Sequence, residues 1–306
     1  NAFTLDSFSM VPAIGKDSFL ARQSFQADFI TLKSGAIQVG PVDIDNYIKN
    51  NILNAGTATI DKFHFTDYRD KQLPFNSGII KPLTVNLLKK IPQKLAIKNL
   101  ILNNAYVEYT ETNTKTGAAG TIPITRMNVR ILNTKNYNFS PADSLTIQAT
   151  GYLMDTAWIH LRVKESYMDS LGGFLMTVRI KPVDLTLLNP VLMPLASAKL
   201  ESGYLDTLSM RAVGREYLAL GEMKMLYHDL KIRVFKNGDS TRKNFLTGFA
   251  NLIIKNKNTS RMGQVFVLRK RDRSAINYLI KIAMSGIASS VGVKSNKKMI
   301  RRYKNE

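Results

Sequence analysis

The residues best equipped to bind a metal or move a proton are three histidines, at positions 64, 160 and 228. Each stands in an alternating apolar and polar run, with no second histidine or paired acid at ligand spacing. The chain has no cysteine, which excludes disulfides and thiolate metal sites and leaves the redox compartment open. The histidines therefore read as structural or solvent-facing. Asp67 and Asp70 flank Arg69 within the segment Phe65–Phe75. Two carboxylates so placed offer general acid and base chemistry, but a strand end tied by a local ion pair is the plainer reading. Gly172-Gly173 belongs to no phosphate-binding loop and reads as a turn. No serine sits in a Gly-x-Ser-x-Gly elbow. The expectation is a protein that is not an enzyme and holds no metal or cofactor.

Two softer features remain. Twelve methionines are many for a β-rich chain, and Met154, Met168, Met176, Met193, Met210, Met223 and Met225 fall among strands and bends. They read either as core filler or as a face that re-packs against flexible acyl chains, since thioethers are soft and unbranched. The net charge is +20, and from Asn251 onward there are 14 Lys/Arg against two acids. Such an excess favours an anionic partner. A phospholipid surface is expected and nucleic acid is not. The basic stretch Lys294–Lys304 has one aromatic, Tyr303, and no nucleic-acid fold signature accompanies it.

The elements that must carry these residues are mainly strands. Ala157, Ile159, Leu161 and Val163 alternate with Trp158, His160, Arg162 and Lys164. Phe174, Met176, Val178 and Ile180 repeat the apolar side opposite Thr177, Arg179 and Lys181, which is the pattern of a β-meander. Further strands are expected at Ile30–Val39, Ala58–Arg69, Leu95–Tyr109, Ile122–Leu132, Ser144–Met154, Leu205–Val213, Tyr217–Tyr227, Leu230–Lys236, Phe245–Asn256 and Arg261–Lys270. Gly238-Asp239 reads as a turn and Thr112–Thr121 as a hairpin loop. Asp45–Leu53 reads as a short helix, Lys81–Ile91 as either helical or extended, and Asp184–Ala198 as a short helix broken by Pro190 and Pro194. Ser274–Val291 has apolar residues near helical spacing with Ser274 as N-cap. That helix and its basic tail read as a cap on a sheet or as a membrane-interface helix.

The fold expected is thus mostly β: an elongated, curved antiparallel sheet with a few short helices and a C-terminal amphipathic helix. Three parts are expected: 1–92, an N-terminal β-rich part; 93–273, a meander; and 274–306, the helix and basic tail. Alternation alone leaves open whether the apolar faces close into a sandwich or line a groove. The candidate apolar lining is Ile159, Leu161, Val163, Phe174, Met176, Val178, Met210, Met223 and Met225. Candidates for contact with anionic head groups are Lys294, Lys297, Lys298, Arg301 and Arg302. No run of about 18 uncharged apolar residues occurs, so no transmembrane helix is expected within these residues, nor is a signal peptide.

Several stretches, taken in order, resemble the AsmA-like family in its Bacteroidota-type form. They are Leu95–Glu111 with its Asn-Asn-Ala-Tyr-Val-Glu-Tyr core, Leu188–Gly203, Gly221–Lys231, and Arg261–Ser274 followed by a helix containing Gly286. Phe65–Phe75 is similar to the family's Arg-Asp segment. The resemblance spans about Leu5 to Gly292 and carries over no catalytic residue. It implies a taco-like β-groove related to TamB and the bridge-like lipid-transfer proteins. It further implies a periplasmic protein, anchored in the inner membrane by an N-terminal helix that these residues lack. The role implied is phospholipid transport from the inner to the outer membrane, and outer-membrane integrity. The alternative is a closed β-sandwich scaffold or assembly factor that binds an envelope protein partner.

Overall fold

The computed structural model describes residues 1–235, 255–292 and 296–305. The chain is mostly β: fifteen strands form one large mixed sheet that does not close, accompanied by six α-helices among the described residues. All but the last two residues of the expected strand Phe245–Asn256, and the turn at Gly238-Asp239, lie outside the described residues.

The first six strands are three long strands, each broken once. β1 (Phe3–Leu5) and β2 (Phe8–Met10) lie antiparallel to β4 (Ile37–Val42) and β3 (Asp28–Ser34), which pair in turn with β5 (Ile52–Asp61) and β6 (His64–Arg69). The short helix α1 (Lys16–Ala21) precedes β3. Helix α2 (Ile44–Asn50) joins β4 to β5, capped by the Asp43 carboxylate accepting from the Asn46 N–H.

The breaks align. The Gly35 N–H donates to the Asp61 carbonyl, and the Lys62 N–H to the Asn103 carbonyl. Lys62, Asn104 and Arg126 all have left-handed φ, at 48°, 48° and 50°. The pairing of β7 (Lys94–Thr112) with β8 (Ala119–Lys135), and of β8 with β9 (Ser144–Leu153), shifts register beside them. A bulge bends its strand and increases the twist, so this line of bulges creases the first part of the sheet.

One expectation needs correcting: the sheet is mixed, not antiparallel throughout. β7 runs parallel to β5 along its first half and parallel to β6 along its second. Parallel neighbours need a long return path. Here residues 70–93 supply it and carry helix α3 (Thr84–Leu88). Because β7 pairs with β5 and β6, residues 1–92 and 93–273 share one sheet.

From β7 onward the sheet is an antiparallel meander through β8, β9, β10 (Ala157–Ser166), β11 (Phe174–Ile180), β13 (Ala198–Gly214), β14 (Leu218–Val234) and β15 (Met262–Leu268), with β12 (Val183–Asp184) on the flank of β13. The expected strands Tyr217–Tyr227 and Leu230–Lys236 fall on one strand as far as Val234, and Lys236 lies outside the described residues. The left-handed Asp229 (φ 54°) absorbs the irregularity between them without ending the ladder. A 3-10 turn (Leu185–Leu188) leads into helix α4 (Asn189–Ala196). Helix α5 (Ala275–Val291) is capped by the Ser274 hydroxyl at its start and by left-handed Gly292 (φ 92°) at its end. Helix α6 (Lys297–Asn305) follows.

Candidate functional site

Residues directly opposite one another in a ladder project to the same face, so the register traces that face across the molecule. One row runs Val39, Ala58, Leu100, Ile131, Ile147, Val163, Met176, Ala212, Gly221, Val265. A second, two residues along each strand, runs Ile37, Ile60, Leu102, Val129, Ala149, Leu161, Val178, Met210, Met223, Gly263. Phe3 and Leu5 of β1 extend the rows at one margin, opposite Val39 and Ile37. Beyond the crease, Met10 lies opposite Leu32, which lies opposite Phe65. One uninterrupted apolar face therefore crosses the whole sheet.

Its cover is uneven. At the β13–β15 margin, helix α5 lies on it, and Tyr278 and Ile282 share a core with Met210, Met223 and Met225. The approach is close: a Cβ at Gly286 would lie 2.7 Å from the Met223 Cε. At one end of the strands α4 bridges the β7–β8 hairpin and β13. Asn113 donates to the Pro194 and Leu195 carbonyls, and Asn189 exchanges hydrogen bonds with Leu200. At the other end α3 sits over β10, its Val85 N–H donating to the buried Glu165 carboxylate at 2.8 Å. Burial raises the pKa of that carboxyl, and the hydrogen bonds from Val85 and Thr84 oppose the shift. Between these covers Leu100, Leu102, Ile131, Ile147 and Ala149 are half-buried. At the β1–β2 margin Phe3, Leu5, Phe8 and Met10 are 43–50% exposed.

The crossover touches both sides of the sheet. Gln26, just before β3, donates to the Leu73 carbonyl and its N–H to the Pro74 carbonyl. Arg273, just after β15, stacks on the Phe75 ring at 3.1 Å. The Lys81 N–H donates to the Arg271 carbonyl, and Arg269 donates to the Lys81 carbonyl.

Of the residues expected from sequence to line a groove, Val163, Phe174, Met176, Val178, Met210, Met223 and Met225 are buried in the covered core, while Ile159 and Leu161 are half-buried beside it. All nine thus lie on the one apolar face, in its covered part. The exposed part was missed because β1 and β2 are three residues each, too short to display alternation.

Among the expected head-group contacts, Lys294 lies outside the described residues. Lys297 and Lys298 fall in the first turn of α6, and Arg301 and Arg302 are exposed on it. Helix α6 meets the opposite, polar face of β15 through Tyr303 on Phe266, with ring centroids 6.3 Å apart. α5 also exposes an apolar stripe, Ile276, Ile280 and Met284, away from the core.

Asp67 and Asp70 do not act as a pair. Arg69 binds Asp28 across the sheet through two 2.5 Å contacts, while Asp70 accepts from Thr112. Burial, helped by nearby Asp28, pushes the Asp67 carboxyl up to about 6. His64 stacks on Tyr106 and His228 contacts Asp206, each apart from any metal-ligand set among the described residues.

No protein-family model matches the chain, and no curated protein matches it.

Proposed function

We propose that this protein handles lipid, seating phospholipid acyl chains against the apolar face of its sheet. The observation that carries the proposal is one continuous apolar face with uneven cover: sealed by α5 at one margin, half-buried at Leu100, Leu102, Ile131 and Ile147, buried again at Val39 and Ala58, and open to solvent at Phe3, Leu5, Phe8 and Met10. Monomeric proteins rarely leave a long contiguous apolar surface uncovered without an occupant. In this reading the crease and the crossover that touches both margins curve the sheet into a groove. The buried methionines form its covered wall, and Leu100, Leu102, Ile131 and Ile147 form the open floor. The resemblance to AsmA-like proteins supports a place in the bacterial envelope, a periplasmic location with an inner-membrane anchor, and a part in moving phospholipid towards the outer membrane.

Native mass spectrometry of the purified chain, with organic extraction and lipid identification, tests the proposal. Bound phospholipid is expected, and Ile131→Asp with Ile147→Asp is expected to remove it by placing charge on the floor. Repeated preparations that carry no lipid, and that take none up from donor vesicles, would refute it.

A second reading, a scaffold for an envelope protein, is favoured by one observation. β1 and β2 form a margin of the sheet whose outer backbone groups pair with no described strand, beside exposed apolar side chains. Such an edge accepts an added strand. Backbone protection at Phe3–Met10 gained on adding a partner, in a preparation free of lipid, would favour it over the first.

A further inference from the structure

The polar face of the same sheet holds a concavity of about 680 Å³ that the lipid reading leaves unused. It is lined by Arg162 and Lys164 of β10, Arg179 of β11 and Arg211 of β13, with His160 and a single acid, Glu222. Arg162 lies opposite Thr177, which lies opposite Arg211, so these two cations stand two strands apart, about 10 Å. Arg179 stands on the strand between them, displaced two residues along it, about 7 Å.

None of these four cations makes an ion pair or side-chain hydrogen bond among the described residues, although Glu222 lies opposite Arg211 in the ladder. Elsewhere the sheet does pair cations with acids, as in Arg69–Asp28, Lys135–Asp143, Arg233–Glu201 and Arg269–Glu216. A chain of charge +20 must leave many cations unpaired, but here four converge on one hollow. Like charges held together repel, and a concave low-dielectric wall focuses their field on an anion.

We propose that this concavity binds a soluble small molecule bearing two or more linked phosphate groups. Guanidinium forks match phosphate oxygens in pairs. The spacing of Arg162, Arg179 and Arg211 exceeds the reach of one phosphate and suits two or three joined together. The volume lies within the range of small-molecule sites, roughly 300–1,000 Å³. Leu175 and Met262 in the same lining supply apolar contact for the remainder of such a ligand. The site lies on the face opposite the apolar rows, so it stands whether or not the chain handles lipid.

Inorganic tripolyphosphate titrated calorimetrically into the full chain, at about 0.15 M salt to screen diffuse attraction, tests the proposal. Saturable binding of one ligand per chain is expected. Arg179→Gln with Arg211→Gln should weaken it at least ~10-fold, the loss expected for two charge-assisted contacts. Glu222→Gln should tighten it by removing the one acid. Arg130→Gln, on the same face but outside the lining, should leave it within about two-fold. Circular dichroism checks the fold, and because Glu222→Gln predicts a gain, a loss from misfolding cannot imitate it. Absence of saturable binding, or an equal loss in Arg130→Gln, would overturn the proposal.

Discussion

Arg269 is the point at which three separated parts of the chain are tied. Its side chain is wholly buried and pairs with Glu216 at 2.7 Å, in the β13–β14 turn. It also donates to the Lys81 carbonyl at 2.5 Å, in the crossover. Its own N–H donates to the Tyr217 carbonyl at 2.8 Å. Arg269→Ala removes the cation and both side-chain contacts, leaving Glu216 with Arg271 alone at 3.0 Å. Breaking a buried ion pair from one side costs about 3–5 kcal/mol, because the remaining charge stays buried without its partner. Arg271 remains as a partly exposed counter-charge, which places the expected loss near the lower end, about 3 kcal/mol. That is a sizeable part of the ~5–15 kcal/mol by which folded domains are stable. Urea unfolding measures the loss, and amide hydrogen exchange locates it: residues 81–89 of the crossover should open first. Arg271→Ala, at the exposed end of the same cluster, should cost less than about 1 kcal/mol. If Arg269→Ala costs no more than Arg271→Ala, and exchange at 81–89 is unchanged, the crossover is not held by this tie and the reasoning fails.

Asp67 gives a pH-dependent prediction. Its folded pKa is raised to about 6 from 3.8, so the folded state favours the protonated acid; the stability this supplies is present below 3.8 and lost as pH rises through about 6. Two pKa units correspond to about 3 kcal/mol, and the group is exposed enough that solvent screening reduces this to about 1 kcal/mol. Asp67→Asn should therefore leave stability unchanged at pH 4 and raise it by about 1 kcal/mol at pH 8; equal effects at both pH values would contradict the sign. Met223 is 0% exposed, and Met223→Ala should cost about 2–5 kcal/mol through lost burial and the cavity left behind. Ile280→Ala, on the outward stripe of α5, should cost well under 1 kcal/mol by the same thermal or urea measurement. At Gly263 a Cβ would lie 2.8 Å from the Gly286 carbonyl oxygen, so Gly263→Ala must push α5 off the sheet, at about 1–3 kcal/mol with faster exchange in α5.

Local chemistry in the sequence determined the strands and their two faces. The alternation in Ala157–Lys164 and Phe174–Lys181 reads directly, because successive side chains in a strand must point to opposite sides. The absence of cysteine and of spaced metal ligands likewise needs no fold to be seen. Three things were decided only by tertiary structure. β7 pairs parallel to β5 and β6 because residues 70–93 return the chain to its starting end, and no local pattern encodes the direction of a partner. Val163, Met176 and Met223 are buried, whereas Phe3 and Met10 on the same face are exposed, because α3 and α5 cover that part of the face and leave the β1–β2 margin bare. Arg162, Arg179 and Arg211 meet in one hollow although up to 49 positions separate them in the chain. A side chain's face follows from its neighbours in sequence, but what covers that face is fixed by long-range packing, which period-2 alternation does not contain.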